Sequence, residues 1–102
     1  MKNKPVRWDE ETLVSRCLKN EVAAQKALYE QYSARMMGIC YRYAQNRFDA
    51  QDILQEGIIK VFTYLKQYNF SGSLEGWIKQ IMVRTAINFL KKNKQFQQNI
   101  EI

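Results

Sequence analysis

Apolar residues recur at three- and four-residue spacing along most of this 102-residue chain. Such spacing places them on one face of an α-helix, and four segments carry it, at about 9–19, 21–45, 49–67 and 74–94. No segment alternates between apolar and polar residues as a half-buried strand does, and one proline and four glycines leave few interruptions. The pattern therefore predicts an all-α fold, a compact bundle of about four helices.

Polar residues mark where three of these helices should begin. Asp9, Asp49 and Ser73 each precede a periodic apolar run and carry a side-chain oxygen that can accept from the free N–H groups of a first turn. One apolar stripe per helix should close a single core. The predicted core residues are Leu13, Val14, Cys17, Leu18, Ala24, Leu28, Tyr32, Met36, Ile39, Cys40, Tyr43, Leu54, Ile58, Val61, Leu65, Leu74, Ile78, Ile81, Met82, Thr85 and Phe89.

Positive charge is concentrated in the second half of the chain. The net charge is +6, yet residues 1–59 carry nine Lys and Arg against eight Asp and Glu, while residues 60–102 carry seven against two. Such a local excess is typical of a protein that contacts a polyanion, either nucleic acid or an anionic membrane. A membrane is the weaker interpretation, because the apolar face of the last helix is needed to close the core. Charge that serves only solubility is the other alternative.

Several kinds of chemistry lack the residues that they need. The chain has no histidine, Cys17 and Cys40 follow no metal-ligand spacing, and no Gly-rich phosphate loop occurs. We therefore predict no enzyme activity, no catalytic residue, no metal and no cofactor, and we expect both cysteines to be buried thiols. No apolar run approaches the ~20 residues of a membrane span and the N-terminus lacks the apolar core of a signal peptide, so a cytoplasmic location is expected.

The third segment carries an acidic face with apolar neighbours. Asp52, Gln55 and Glu56 lie within about one helical turn, Ile59 shares their face and Phe62 flanks it. An outward isoleucine beside carboxylates is typical of a protein docking surface, in which apolar anchors have a charged rim. An ordinary solvated helix face is the competing interpretation.

Five of the thirteen aromatic residues surround one short polar loop, Asn69–Ser73. They are Phe62, Tyr64, Tyr68, Phe70 and Trp77. Single-stranded nucleic acid is held by stacking of bases on aromatic rings inside a positive groove, at about 1–3 kcal/mol per base. Short side chains such as Asn69 and Ser71 can read the edge of a base extruded from the duplex without filling its pocket. The alternative is that Tyr64, Tyr68 and Trp77 are simply part of the core.

The fourth segment combines cations with amide side chains. Arg84 and Lys91 share an outward stripe with Trp77, Gln80 and Asn88, and only Glu75 opposes the cations before Glu101. Arginine, asparagine and glutamine are able to hydrogen-bond base edges or phosphates. The stripe therefore favours a nucleic-acid contact that continues from the loop.

Together, these segments resemble region two of a bacterial sigma factor of the extracytoplasmic-function (ECF) class, from about Leu13 to Lys94. LVSRCLKNEVAAQKALYEQYSARMM is similar to the family's opening helices. DAQDILQEGIIKVF carries the D-x-x-Q-E signature before an apolar and aromatic helix. YNFSGSLEGWIKQIMVRTAINFLKKNK is similar to the loop, tryptophan and basic helix that follow. Each piece is weak alone, but the three occur in the family's order and at its spacing.

The resemblance implies two binding surfaces on a transcription initiation factor. The first would hold the beta-prime clamp helices of core RNA polymerase, and the second would recognise and melt the minus-ten promoter element and hold its non-template strand. By position, the polymerase contacts are Asp52, Gln55, Glu56, Ile59 and Phe62. By position, the DNA contacts are Lys66, Tyr68, Asn69, Phe70, Ser71, Gly72, Ser73, Trp77, Gln80, Arg84, Asn88 and Lys91.

The resemblance also implies a domain division and further partners. Residues 1–95 are expected to form the region-two domain, and residues 96–102 a tail or the start of a linker to a second, upstream-element-reading domain that lies outside this chain. An anti-sigma factor is an expected partner. Two other functions stay open: a stand-alone DNA-binding regulator without polymerase contact, and a pure interaction module held by an anti-sigma factor.

Overall fold

The computed structural model describes residues 8–100, with side chains through Lys94. Four α-helices and one short 3-10 turn account for most of this range. The helices are α1 (Glu10–Leu18), α2 (Val22–Ala44), α3 (Arg47–Tyr64) and α4 (Leu74–Ile100), and the 3-10 turn at Leu65–Gln67 follows α3. No strand occurs within these described residues. The all-α fold predicted from the apolar periodicity is thus confirmed.

The first and last predicted helix caps are confirmed at atomic level. The Asp9 carboxylate accepts from the Thr12 backbone N–H at 2.8 Å, and this bond holds the pKa of Asp9 below its usual value. The Ser73 hydroxyl oxygen accepts from the Gly76 N–H at 3.0 Å. Both side chains satisfy donors that have no partner inside their helices.

The predicted start of α3 at Asp49 is wrong. Asn46 is the capping residue: its Oδ1 accepts from the Asp49 N–H at 2.9 Å, and its Nδ2 donates to Asp49 Oδ2 at 3.0 Å. Gln45 ends α2 in the left-handed region at φ 63°, so the chain reverses within two residues and α3 starts at Arg47. Asp49 still acts at the positive end of the helix, as a partner in the first turn.

α4 is longer than its apolar pattern predicts. It continues through Ile100, past the predicted end near Lys94, because the polar residues there include no glycine or proline to stop it. The expected boundary between residues 95 and 96 falls inside this helix. The division into a domain and a tail stays a prediction.

The buried core follows the predicted stripes, with two errors at helix ends. Leu18 is 46% exposed and Tyr43 is 38% exposed. Both belong to the last turn of their helix, where the bundle no longer covers that face. The core also takes in residues that the stripes omitted, Ala50, Ile53, Tyr68 and Ala86, while Ile39, Ile58, Ile81 and Phe89 are only partly buried against it.

Gly57 of α3 lies directly against the Met82 side chain of α4. A Cβ atom built there would overlap Met82 Sδ and lie 2.9 Å from Met82 Cε, and the Met82 side chain is fully buried. Helices can come this close only where one of them lacks a side chain. On the exposed surface, Arg35 of α2 forms an ion pair with Glu75 in the first turn of α4.

Candidate nucleic-acid interface

The acidic face of α3 points outward, as the helical spacing predicts. Asp52 and Gln55 are exposed, Glu56 is half-buried and Ile59 is 66% exposed. Phe62 packs against the edge of the core. Within residues 8–94, Glu56 forms an ion pair with Lys60 on the next turn, at 3.4 Å, and such a surface pair contributes little to stability. These five residues are called the docking face below; their role in binding stays a prediction.

A groove of about 350 Å³ lies beside the docking face, between α2 and α3. Gln55 belongs to both features. Tyr29, Ser33, Ala34 and Met37 line the groove from α2, and Arg47, Gln51 and Leu54 line it from α3. One signal in the sequence indicated this groove: Tyr29 lies outside the core stripe of α2. Its side chain is 44% exposed.

Tyr68 lies beneath the loop, not on its surface. It is 7% exposed, and its ring centroid is 4.6 Å from that of Phe70 and 5.5 Å from that of Trp77. Of the two interpretations of this residue, a core position therefore fits, and direct contact with a base stays a prediction. Burial, followed by the hydrogen bond to Glu10, raises the pKa of Tyr68 to about 12.

A cavity of about 250 Å³ opens where the loop meets α4. We call it the loop cavity. Its lining is Tyr68, Asn69, Ser71, Gly72, Ser73, Gly76, Trp77 and Gln80. Several of its polar groups are already engaged: Asn69 Oδ1 accepts from the Ser71 N–H at 3.1 Å, Ser73 caps α4, and the Tyr68 hydroxyl donates to the Gly72 carbonyl oxygen. The remaining space and the short side chains around it suit a flat polar ligand.

Phe70 faces a different space from the rest of the loop. It lines a broad groove of about 660 Å³ against α1, with Val14, Leu18 and Lys19 among its neighbours. Its backbone is in the left-handed region at φ 60°, which is costly for a bulky residue. The sequence predicted Phe70 in one site with Asn69 and Ser71. In the structure Phe70 lines the groove at α1 and Asn69 and Ser71 line the loop cavity, so a DNA contact by Phe70 stays a prediction.

The stripe on α4 begins at the loop cavity and runs away from it. Trp77 and Gln80 belong to both features, and Gln80, Arg84, Asn88 and Lys91 are all exposed. Neither Arg84 nor Lys91 forms an ion pair within residues 8–94. Lys66, at the 3-10 turn, is likewise exposed and unpaired in that part of the chain. The cations are therefore available to an external anion.

Sequence reasoning missed two further cations. Arg42 and Tyr43 of α2 line a groove of about 330 Å³ with Lys79 of α4, floored by Ile39 and Val83. No salt bridge engages Arg42 or Lys79 among the residues whose side chains are described. The groove depends on two helices packing side by side, so neither helix alone could indicate it.

The described residues contain no group of three or more His, Cys, Asp or Glu side chains able to hold a metal ion. No helix there is both long and apolar enough to cross a membrane. Cys17 and Cys40 are free and buried, as predicted. Burial raises the pKa of both thiols, to about 11 for Cys40, which leaves them unreactive.

The chain is similar in sequence to RNA polymerase sigma factors. The chain is 36% identical over 59 residues to RNA polymerase sigma factor SigV of Bacillus subtilis (strain 168), which covers 58% of this chain and 36% of SigV. It is 31% identical over 65 residues to ECF RNA polymerase sigma factor SigE of Mycolicibacterium smegmatis (strain ATCC 700084 / mc(2)155), covering 64% of this chain and 25% of SigE. The matches thus span well under half the length of these relatives.

A solved structure is similar over almost the whole chain. It is the NMR structure of the complex formed by an engineered region 2 of sigmaE in complex with GTAAAA. The TM-score is 0.79 at 25% identity, and the match covers 93% of this chain and 96% of the other. The family model for Sigma-70 region 2 matches residues 28–96, more than half of the chain. This chain therefore belongs to the Sigma-70 region 2 family, among the sigma factors of the ECF class.

Proposed function

We propose that this domain acts in transcription initiation, where it joins core RNA polymerase to the minus-ten element of a promoter. Its docking face would bind the beta-prime clamp helices. Its loop cavity and α4 stripe would recognise the element, melt it and hold the non-template strand. No catalytic step is assigned to it, and its place of action would be the cytoplasm.

One observation carries the DNA half of this proposal: the loop cavity opens directly onto the α4 stripe. A strand lying along α4 would place its phosphates near Arg84 and Lys91 and would bring one base to the cavity beside Trp77. A neighbour with a similar fold over 93% of this chain was solved as a complex with GTAAAA. That likeness supports a nucleic-acid ligand for this domain, which we assign to the loop cavity and the α4 stripe.

The energy of capture has to offset the energy of melting. Extruding a base costs a few kcal/mol, and a stacked base returns about 1–3 kcal/mol. One cavity therefore cannot open a promoter alone. Phosphate contacts along α4 and attachment to the polymerase would supply the remainder, which gives a physical reason for placing both surfaces on one small domain.

The polymerase half rests on the exposure of the docking face. Ile59 is an exposed branched aliphatic residue about one turn after Glu56, and the groove between α2 and α3 adjoins this face through Gln55. An interface needs apolar anchors inside a polar rim. An anti-sigma factor would be a second partner that competes with core polymerase for the domain.

Three titrations at low salt test the proposal. Labelled promoter single strand, the same sequence as duplex, and a peptide of the beta-prime clamp helices are each added to the domain. We expect binding of the single strand and of the clamp segment, and weaker binding of the duplex. Equal affinity for both DNA forms without clamp binding would indicate a stand-alone regulator. No DNA binding at all would indicate a pure interaction module.

Replacing either cation of the α4 stripe should change how DNA affinity depends on salt. For Arg84→Ala or Lys91→Ala, we expect the slope of log K against log salt for single-stranded DNA to fall by about 0.7, because one phosphate contact is lost. Lys26→Ala provides a matched control, since Lys26 is exposed on α2 outside the stripe. A slope equal to that of the parent protein would remove the substituted residue from the DNA contact.

A further inference from the structure

Glu10 is the first residue of α1, yet its carboxylate binds two groups in a distant part of the chain. Its Oε1 lies 2.9 Å from the Tyr68 hydroxyl oxygen and 3.1 Å from the Leu74 backbone nitrogen. These partners are 58 and 64 residues away in sequence, at the two ends of the loop that forms the cavity. A single side-chain oxygen therefore connects α1 with both ends of this loop.

Each of these hydrogen bonds restricts a different part of the loop. Leu74 is the first residue of α4, so its N–H has no acceptor within the helix and would otherwise need water. The Tyr68 hydroxyl also lies 2.6 Å from the Gly72 carbonyl oxygen, so its one proton is shared between two acceptors. Glu10 and Gly72 together hold the Tyr68 ring under the cavity, in contact with Trp77.

We infer that Glu10 is a positioning residue for base capture, which rests on the proposed function. It would touch no DNA itself. Its carboxylate would hold Tyr68 and the start of α4 so that the loop cavity is already open before a base arrives. Preorganisation of this kind increases affinity because less conformational freedom is lost on binding. The segment matched by the family model begins at residue 28, so this role would belong to a helix outside that match.

A positioning role can be separated from a general contribution to stability. If Glu10 shapes only the cavity, its loss should lower the affinity for a strand whose base enters the cavity. The affinity for a strand that lacks this base should not change. If Glu10 only stabilises the bundle, both strands should lose affinity in the same proportion. A double-mutant cycle, in which each protein variant is measured with the intact and the abasic strand, distinguishes the two cases.

The experiment uses the 102-residue chain and a ten-nucleotide single strand containing GTAAAA, intact or with one abasic site at each position in turn. For the parent protein, we expect one abasic position to weaken binding about tenfold, as expected for the loss of one captured base. Glu10→Ala should bind the intact strand about as weakly as the parent binds that abasic strand. Its affinity for the abasic strand should be unchanged.

Two further variants make the result specific. Glu10→Gln keeps an oxygen that can accept from both donors, so it should retain most of the affinity for the intact strand. Glu11→Ala removes the same charge from the neighbouring, exposed position of α1 and should bind both strands like the parent. Thermal unfolding of each variant establishes that it is folded.

The outcomes that overturn the inference are distinct from failure of the proposed function. If Glu10→Ala keeps the full tenfold difference between intact and abasic strands, Glu10 does not position the cavity, whatever happens to overall affinity. If the parent protein itself discriminates against no abasic strand, the cavity takes no base, and the proposed function fails first.

Discussion

Replacing Gln55 and Glu56 together with alanine is expected to lower affinity for the beta-prime clamp helices at least tenfold. Loss of a hydrogen bond to a charged group costs about 1.5–3 kcal/mol. The fold should be unaffected, because Gln55 is exposed and the one ion pair of Glu56 among the described residues is the surface pair with Lys60. Fluorescence anisotropy with a labelled clamp peptide measures the affinity, and thermal unfolding measures stability.

Controls for this result come from other faces of the bundle. Ile59→Ala should also weaken clamp binding, whereas Val22→Ala should not, although Val22 is an apolar side chain that is even more exposed, at 75%. Glu11→Ala removes an exposed carboxylate from α1 and should leave the affinity unchanged. Undiminished clamp binding by the Gln55 and Glu56 double variant would rule out the docking face as the polymerase contact.

Gly57→Leu is expected to lower the free energy of unfolding by about 2 kcal/mol. Its Cβ atom alone would overlap Met82, and Met82 is fully buried and cannot move into solvent. Overpacking of this kind costs up to about 3 kcal/mol, and removing a glycine from a helix returns about 1 kcal/mol. At about 4–8 °C per kcal/mol for a domain of this size, the melting temperature should fall by about 8–16 °C.

The chain contains a matched glycine for comparison. Gly38 is exposed in α2, and a Cβ atom there meets no atom within 4 Å. Gly38→Leu should therefore leave stability unchanged or raise it by up to about 1 kcal/mol. A double variant of Gly57→Leu with Met82→Ala should be more stable than the sum of the two single effects, because the new side chain fills the space vacated by methionine. Additive losses would show that the two residues do not compete for this space.

Local patterns in the sequence were sufficient to predict the helices and, for most of them, which face is buried and which is exposed. Apolar spacing and cap residues act over three to four neighbours, so the outward position of Asp52, Gln55 and Ile59 could be predicted without knowing what packs behind them. The same holds for the α4 stripe of Gln80 and Arg84. The family resemblance also depended on short motifs, and the comparisons confirmed it.

Errors occurred where two local signals compete or where the bundle ends. Asn46 and Asp49 are both good capping residues three positions apart, and the left-handed turn at Gln45 decided between them. Leu18 and Tyr43 continue their apolar stripes, but no neighbouring helix covers them. Helical periodicity predicts which face a residue shares, and it contains no information on how far the neighbouring helix extends.

The amino-acid sequence by itself determined four amphipathic helices, a polar loop among aromatic residues and an excess of cations after residue 60. Tertiary structure alone decided that Tyr68 is buried, that Phe70 and Ser71 line different spaces, and that Glu10 joins both ends of the loop. The physical reason is separation along the chain. Helix and cap signals act between near neighbours, whereas these contacts join residues up to 64 positions apart and exist only after the helices pack.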